Sequence, residues 1–153
     1  MTDQELGVVH LERVIDSPVE RVFHAWTTPG ELMQWFGPDG CVVDAAEADV
    51  AVGGRYSISM TVPGGEQVHH FGQYLEVDPP TRLVFTWVIS NQPCEGSQGS
   101  EANTKVTLDL VSVGTSTNLS LLHEQLPSAD AVKGHRIGWS GSLLRLSKHL
   151  TST

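Results

Sequence analysis

Cysteine and basic residues are scarce in this chain of 153 residues, and each shortage excludes a class of function. The two cysteines, Cys41 and Cys94, are far apart and neither belongs to a CxxC pair, so we expect reduced thiols rather than a disulfide framework. Nine Lys and Arg residues stand against 18 Asp and Glu residues, which gives a formal net charge of −9. Because sequence-independent binding to phosphates needs a basic face, we exclude nucleic acid as the main partner.

Long apolar segments are also missing. No apolar run approaches the ~20 residues that a membrane-spanning helix needs. The N-terminal stretch carries acidic and polar side chains where a signal peptide has a basic end and an apolar core. We therefore expect a cytoplasmic protein without membrane contact. Its length suits a single domain over residues 1–153 that buries roughly 70% of the surface of the unfolded chain.

Signatures of catalysis and of metal binding are absent from the sequence as well. His123 and Glu124 do not form an HExxH motif, because the second histidine is missing, and zinc-protease chemistry is excluded. Gly53 and Gly54 precede a predicted strand rather than the Lys-Ser/Thr pair and helix of a phosphate loop, so we interpret them as backbone geometry. No serine or cysteine lies in a recognisable nucleophile context. We predict no metal and no cofactor, and a binding role before an enzymatic one.

The C-terminal stretch, residues 130–150, predicts a long amphipathic helix. Ser128 or Asp130 can cap its N-terminus. Side chains suited to a buried face recur there at three- and four-residue steps: Val132, His135 or Arg136, Trp139, Leu143, Leu146 and Leu150.

Three glycines interrupt this helix pattern. Gly134, Gly138 and Gly141 each cost about 1 kcal/mol relative to alanine in a helix interior. Either they let the helix backbone pack closely against a sheet, which is the interpretation that we prefer, or they leave room for a cavity beside the helix.

The chain before this helix begins with a predicted strand, residues 6–15. Asp16-Ser17-Pro18 predicts a side-chain cap followed by proline in the first turn of a helix, and a second short helix is predicted over residues 31–35. From residue 41 to residue 123 the pattern alternates with period two, and turn signals separate segments that indicate antiparallel strands. The polar residues 91–103 predict a mobile loop, which together with the two short helices would form a gate.

Six ordered blocks of the sequence resemble one protein family over residues 8–150. The blocks are Pro18, Phe23, Ala25, Trp26, Pro29 and Trp35; Gly53-Gly54; the strand with Gly72; Pro79-Pro80 with Leu83 to Trp87; Leu119 to Pro127; and Gly138-Trp139 with Leu143. The family is the activator of heat-shock protein 90 ATPase homologue (AHSA-type) family of the START-like helix-grip superfamily, also called SRPBCC or polyketide cyclase-like. The resemblance implies an α+β fold. In it, a curved antiparallel sheet of six to seven strands wraps around a long C-terminal helix, two short helices follow the first strand, and a deep cavity separates sheet and helix.

The resemblance implies several functions, because the superfamily includes carriers, cyclase subunits, resistance proteins and cochaperone domains. Our first interpretation is a protein that binds a small hydrophobic ligand in the cavity. One alternative is a polyketide cyclase or aromatase-like enzyme in which His70, His123 or His135 transfers a proton. The other is a cochaperone-like protein that contacts heat-shock protein 90, which ranks last because the eukaryotic cochaperone has a separate N-terminal domain without a counterpart here. An exposed edge strand is compatible with a homodimer.

Strand phase and the helix pattern together predict the side chains that line the cavity. The predicted lining is Tyr56, Ile58, Met60, His70, Phe85, Trp87, Leu108, Leu119, Leu121, Trp139 and Leu143. His69 and His70 are consecutive in a predicted strand and face opposite sides, so they cannot bind one metal together. If Tyr74 faces the cavity, His70 does as well.

The last predicted strand ends at His123, near the expected cavity mouth. Paired with Glu124 or His135, this histidine could act as a general base near neutral pH. The alternative that we prefer is a histidine that caps the strand end through a hydrogen bond to the backbone. An error of one residue in the register of any strand would move its predicted lining residues to the outer face.

Overall fold

The structure of the protein is a computed structural model that describes residues 7–38, 40–90, 104–126 and 128–151. Its elements in chain order are β1 Val9–Ile15, α1 Val19–Thr27, α2 Pro29–Trp35, β2 Val42–Ala48, β3 Arg55–Thr61, β4 Gln67–Asp78, β5 Arg82–Ser90, β6 Thr104–Val113, β7 Ser116–Glu124 and α3 Ala129–Thr151. The predicted loop at residues 91–103 and Cys94 lie outside the described residues. The order of the elements is as predicted: a strand, two short helices, further strands and a long helix.

The seven strands form one sheet in the order β1-β7-β6-β5-β4-β3-β2, and every neighbouring pair is antiparallel. A register break in β2 and another in β4 interrupt the ladder. Such bulges bend and twist a strand, so they help the sheet to curve. α3 covers the inner face, where Trp139 lies 4.8 Å from Trp87 of β5 between ring centroids. The predicted α+β fold, with a sheet around a C-terminal helix, is confirmed.

Burial alternates along the strands as the period-two pattern predicts. In β7, Leu119 and Leu121 are fully buried while their neighbours are half-buried. In β3, Tyr56, Ile58 and Met60 are buried on the same face. Alternation arises because successive side chains of a strand point to opposite sides of the sheet.

Gly72 allows β4 and β5 to approach each other closely at one point. A Cβ atom at this position would lie 2.0 Å from the carbonyl oxygen of Thr86. The same carbonyl accepts a hydrogen bond of 2.7 Å from the hydroxyl group of Tyr56. Only glycine fits between these groups, which explains a residue that otherwise weakens a strand.

α1 begins without the side-chain cap that Asp16 and Ser17 were expected to provide. The N-cap residue is Pro18, and none of the side chains that the structure describes caps the first turn. Asp16 Oδ1 instead accepts a hydrogen bond of 3.2 Å from Ser116 Oγ, and the carbonyl oxygen of Ser17 accepts one of 2.8 Å from Thr117 Oγ1. The cap prediction was wrong, because the N-cap position falls on Pro18, whose side chain has no hydrogen-bonding group.

α3 has the cap and much of the buried face that the sequence predicts. Ser128 rather than Asp130 caps it, since Ser128 Oγ accepts the Ala131 N–H at 3.1 Å. Its buried residues are Trp139, Ser142, Leu143, Leu146 and Leu150. Nearer the N-terminus, Arg136 is exposed and His135 is half-buried. In the part of the chain that the structure describes, no helix combines the length and the apolar character needed to cross a bilayer.

Candidate functional site

A cavity of about 360 Å³ lies between the inner face of the sheet and the first half of α3. Strands β3, β4 and β5 form one wall, α3 forms the opposite wall, and the segment after α2 forms a third. The lining residues are Phe36, Gly37, Pro38, Met60, Val68, His70, Trp87, Ile89, Ala131, Gly134, His135, Gly138, Trp139 and Ser142. The volume suits one small molecule, since ligand pockets in proteins occupy about 300–1,000 Å³.

The cavity extends along the glycine face of α3. Among the described residues, no other atom lies within 4 Å of a Cβ atom added at Gly134 or at Gly138. The preferred interpretation, close packing of helix and sheet, is therefore wrong at these two positions. The alternative is correct there, because both glycines line the open space beside the helix.

Two buried tryptophans each donate a hydrogen bond to a histidine at this site, and the first pair is Trp87 and His135. Trp87 Nε1 donates to His135 Nε2 at 3.2 Å, and His135 Nδ1 lies 2.8 Å from the carbonyl oxygen of Ala131. Because a carbonyl only accepts, we assign the ring proton of His135 to Nδ1. Burial lowers the pKa of His135, and the hydrogen bond to Ala131 opposes this effect only in part. His135 is thus a neutral ring with both nitrogens engaged.

The second pair is Trp139 and His123, at the end of β7. Trp139 Nε1 donates to His123 Nδ1 at 3.0 Å, so the ring proton is on Nε2, which donates to Thr104 Oγ1 at 2.7 Å. Thr104 in turn donates to the carbonyl oxygen of Trp87 at 2.9 Å. Burial, and secondly repulsion from the His135 ring when that ring is protonated, lowers the pKa of His123 to about 3. The expected backbone cap is wrong, because side chains occupy both ring nitrogens.

His123 and His135 lie side by side, with ring centroids 4.8 Å apart and ring planes at 83°. A proton on either ring would place a positive charge beside the other, which adds to the cost of charging a buried imidazole. Glu124 follows His123 directly in β7 and therefore points to the opposite face of the sheet. Both rings are therefore neutral. His123 has no free lone pair with which it could accept a proton from a ligand.

A third histidine, His70, lies in the cavity wall with a ring nitrogen that has no partner. The residue is only 4% exposed, and its Nδ1 makes no hydrogen bond within the described ranges. Its ring centroid lies 4.9 Å from that of Trp87 and 5.5 Å from that of Phe36. Burial lowers the pKa of His70 to about 4, although the nearby backbone of Ile58 acts in the opposite direction. At neutral pH the imidazole is therefore uncharged.

His69 and His70 face opposite sides of β4, as expected for consecutive strand residues. His69 is half-buried, and its Nδ1 lies 2.8 Å from Ser59 Oγ on β3. The two imidazoles cannot meet at one metal ion. Across the described residues, no group of three or more His, Cys, Asp and Glu side chains is arranged to hold a metal.

Arg145 fixes the third wall of the cavity against α3. Its Nη1 lies 3.0 Å from the carbonyl oxygens of both Gly37 and Pro38, and 3.3 Å from that of Cys41. The charged donor satisfies backbone carbonyls that follow the end of α2, and charge-assisted hydrogen bonds are the stronger ones. The position of this wall thus depends on one side chain of the C-terminal helix.

The predicted lining residues fall into three groups in the structure. One group lines the cavity: Met60, His70, Trp87 and Trp139. A second group lines a void of about 20 Å³ between the sheet and the two short helices: Tyr56, Ile58 and Phe85. The third group lies in the packed core with at most 1% exposure: Leu108, Leu119, Leu121 and Leu143. These leucines face inward as predicted, but neighbouring side chains cover them and separate them from both spaces.

Several lining residues were missed by the sequence reasoning. The predicted lining contains none of the residues 36–38, although Phe36, Gly37 and Pro38 form a whole wall. A signal existed for the others: Ser142 lies four residues after Gly138 on the same helix face, and Val68 and Ile89 share the strand phase of predicted lining residues.

Comparisons with known proteins agree with this architecture. The family described as "Activator of Hsp90 ATPase homolog 1-like protein" matches residues 16–151. No curated protein matches the chain. The solved structure of a protein from Chromobacterium violaceum is 27% identical in sequence, with a TM-score of 0.80 over 94% of this chain and 96% of that chain.

Two further solved structures are similar. The AHSA1 protein from Silicibacter pomeroyi is 26% identical, with a TM-score of 0.80 over 95% of this chain and 98% of that one. A protein from Arthrobacter aurescens, at 21% identity, shares the fold with a TM-score of 0.83 over 99% of this chain and 90% of that one. The family match runs from the start of α1 to the end of α3 and confirms the resemblance seen in the sequence. The chain therefore belongs to the family of activator of Hsp90 ATPase homolog 1-like proteins.

Proposed function

We propose that the protein binds a small, mainly apolar molecule in the cavity between its sheet and α3. The observation that carries the proposal is a volume of about 360 Å³ beside Gly134 and Gly138. Each glycine costs about 1 kcal/mol in a helix interior, and here the cost is not offset by close packing. A binding function explains why the space is kept. Localisation in the cytoplasm is part of the same proposal.

Apolar burial supplies most of the binding free energy in this proposal. The walls carry the rings of Phe36, Trp87 and Trp139 and the flexible side chain of Met60. A ligand that buries about 250 Å² of apolar surface gains about 6 kcal/mol, from which the cost of immobilising it is subtracted. The proposal therefore concerns ligands of about the size of a fused aromatic ring pair or larger.

The histidine contacts favour binding over the cyclase alternative. Proton transfer needs a base with an accessible lone pair, and both ring nitrogens of His123 and of His135 already have partners. His70 has a free nitrogen, but none of the described residues that line the cavity is a carboxylate that could orient or reprotonate it. A neutral, unpaired imidazole suits a polar contact to a ligand better than repeated acid–base catalysis.

The first experiment is native mass spectrometry of the protein purified from its source cells, followed by denaturing extraction. A bound small molecule near unit occupancy supports the proposal and identifies the ligand class directly. Naphthalene then serves as a test ligand, and its binding is followed through the NMR signals of the indole N–H groups of Trp87 and Trp139, which line the cavity.

A variant that fills the cavity tests whether this space is the binding site. Gly138→Leu places a side chain into open space and replaces glycine by a better helix former, so the fold should be retained. We expect naphthalene binding to fall at least tenfold while the thermal midpoint stays level or rises. Gly30→Leu is the matched control, because Gly30 is exposed in α2 and no atom of the described ranges lies within 4 Å of an added Cβ. Unchanged binding by Gly138→Leu would contradict the proposed site.

A further inference from the structure

The polar groups in the cavity wall are few. Of the described lining residues, none is Asp, Glu, Lys or Arg. The polar side chains of the lining are the indole N–H groups of Trp87 and Trp139, the imidazoles of His70 and His135, and the hydroxyl group of Ser142. A charged ligand would enter this space without a countercharge, which costs several kcal/mol in an apolar surrounding. The wall therefore favours an uncharged ligand.

Most of these polar groups are already paired inside the protein. The indole N–H of Trp87 donates a hydrogen bond to His135, and the indole N–H of Trp139 donates one to His123. The second ring nitrogen of His135 donates a hydrogen bond to the carbonyl oxygen of Ala131. A ligand that competes for these contacts would break hydrogen bonds that hold α3 to the sheet.

His70 differs from the paired groups. It is 4% exposed, lies in the wall, and keeps a buried ring nitrogen without a partner. Buried polar atoms in folded proteins are nearly always hydrogen-bonded, and an unpaired one calls for an explanation. A polar group of a bound molecule next to this imidazole supplies that explanation.

The aromatic rings of the wall indicate which kind of apolar group the ligand carries. The ring of Phe36 lies 5.9 Å from that of Trp87, and it meets Trp139 edge to face at 6.1 Å and 90°. Aromatic rings prefer edge-to-face or offset contacts with other rings at such distances. Flat aromatic ligands can extend this cluster into the cavity.

We propose that the cavity selects an uncharged aromatic molecule with a single hydroxyl group, which forms a hydrogen bond with the imidazole of His70. This inference rests on the proposed binding function and specifies its ligand class. A hydroxyl group fits either tautomer of the imidazole, because it donates to a bare ring nitrogen and accepts from a protonated one. The aromatic body of the ligand lies against Phe36 and Trp87, whose rings flank His70.

The test compares naphthalene, 2-naphthol and 2-naphthoate on the full chain, with dissociation constants from NMR titration. The quantity of interest is the ratio of the naphthalene to the 2-naphthol dissociation constant, since it cancels the shared apolar burial. We expect His70→Leu to lower this ratio about tenfold, the value of one hydrogen bond to an otherwise unsatisfied buried group. His70→Phe keeps an aromatic ring without nitrogen and should give the same result, which covers the case that His70→Leu folds poorly.

His69→Leu provides the matched control, because His69 is the same residue type on the opposite face of β4 and its replacement should leave the ratio unchanged. An unchanged ratio in both His70 variants, or an equal loss in His69→Leu, would overturn the assignment to His70 while naphthalene binding keeps the proposed function intact. Binding of 2-naphthoate as tight as that of 2-naphthol would overturn the selection of uncharged ligands. If none of the three compounds binds to the wild-type protein, both proposals fail.

Discussion

Lowering the pH from 6 to 5 should destabilise the protein through its buried histidines. In the unfolded chain a histidine takes up its proton near pH 6.5, whereas burial lowers the pKa of His70 to about 4 and that of His123 to about 3 in the folded protein. At a pH between the folded and the unfolded pKa of a histidine, the unfolded state binds more protons than the folded state. The free energy of unfolding therefore falls as the pH falls, and His135, whose pKa is also lowered by burial, acts in the same direction.

The magnitude follows from the linkage between proton binding and stability. From pH 6 to pH 5, His70 and His123 each lower the free energy of unfolding by about 1 kcal/mol. Together they lower it by about 2 kcal/mol. Carboxylates add little in this window, because their unfolded pKa values lie near 4. The effect is large against the total stability of a domain of this size.

The assay is urea denaturation at half-unit steps from pH 7 to pH 5, read by far-UV circular dichroism. His123→Gln removes one titrating ring and should reduce the loss between pH 6 and pH 5 by about 1 kcal/mol, whatever its effect on stability at pH 7. His10→Gln is the control for replacing an exposed histidine by glutamine, since the side chain of His10 is 52% exposed. A wild-type stability that stays level from pH 6.5 to pH 5 would refute the reasoning from burial.

Two further predictions concern packing. Gly72→Ala should cost at least about 3 kcal/mol, because its Cβ would lie 2.0 Å from the Thr86 carbonyl oxygen, whereas Gly134→Ala should be neutral or stabilise by up to about 1 kcal/mol. Thermal midpoints of the two alanine variants decide this, and equal midpoints would contradict the account of both glycines. Arg145→Met removes the donor to the carbonyls of the third wall and should cost about 1–3 kcal/mol. It should also speed naphthalene release, measured from NMR line shapes; unchanged release would show that the wall holds without Arg145.

Strand and helix periodicity predicted the facing of side chains well, because facing is a local property of the backbone. Tyr56, Ile58 and Met60 are buried together in β3 as their alternation indicates, and Trp139 begins the buried stretch of α3. The same rule separated His69 from His70. Local patterns also indicated the order of the elements, and the family resemblance added a cavity between sheet and helix; the family match over residues 16–151 agrees with the resemblance.

The hydrogen bonds of the site could not be predicted in this way. Trp87 and His135 are 48 residues apart, and Trp139 and His123 are 16 apart, so their meeting depends on how α3 crosses the sheet. Before that crossing is known, a histidine on an inward face can be a base, a cap or a packed ring. For this reason His123 was taken as a strand-end cap, although its partners are side chains on β6 and α3.

The sequence by itself thus determined which residues point inward, where the elements lie and which family the chain resembles, since these depend on local periodicity and on ordered motifs. Only the tertiary structure decided which inward side chains face a cavity. Leu108 and Leu121 have the same inward phase as the cavity residue Trp87, yet they are covered completely. The difference arises from the placement of α3 and its glycines, because the helix leaves space where Gly134 and Gly138 lie and larger side chains fill the core elsewhere.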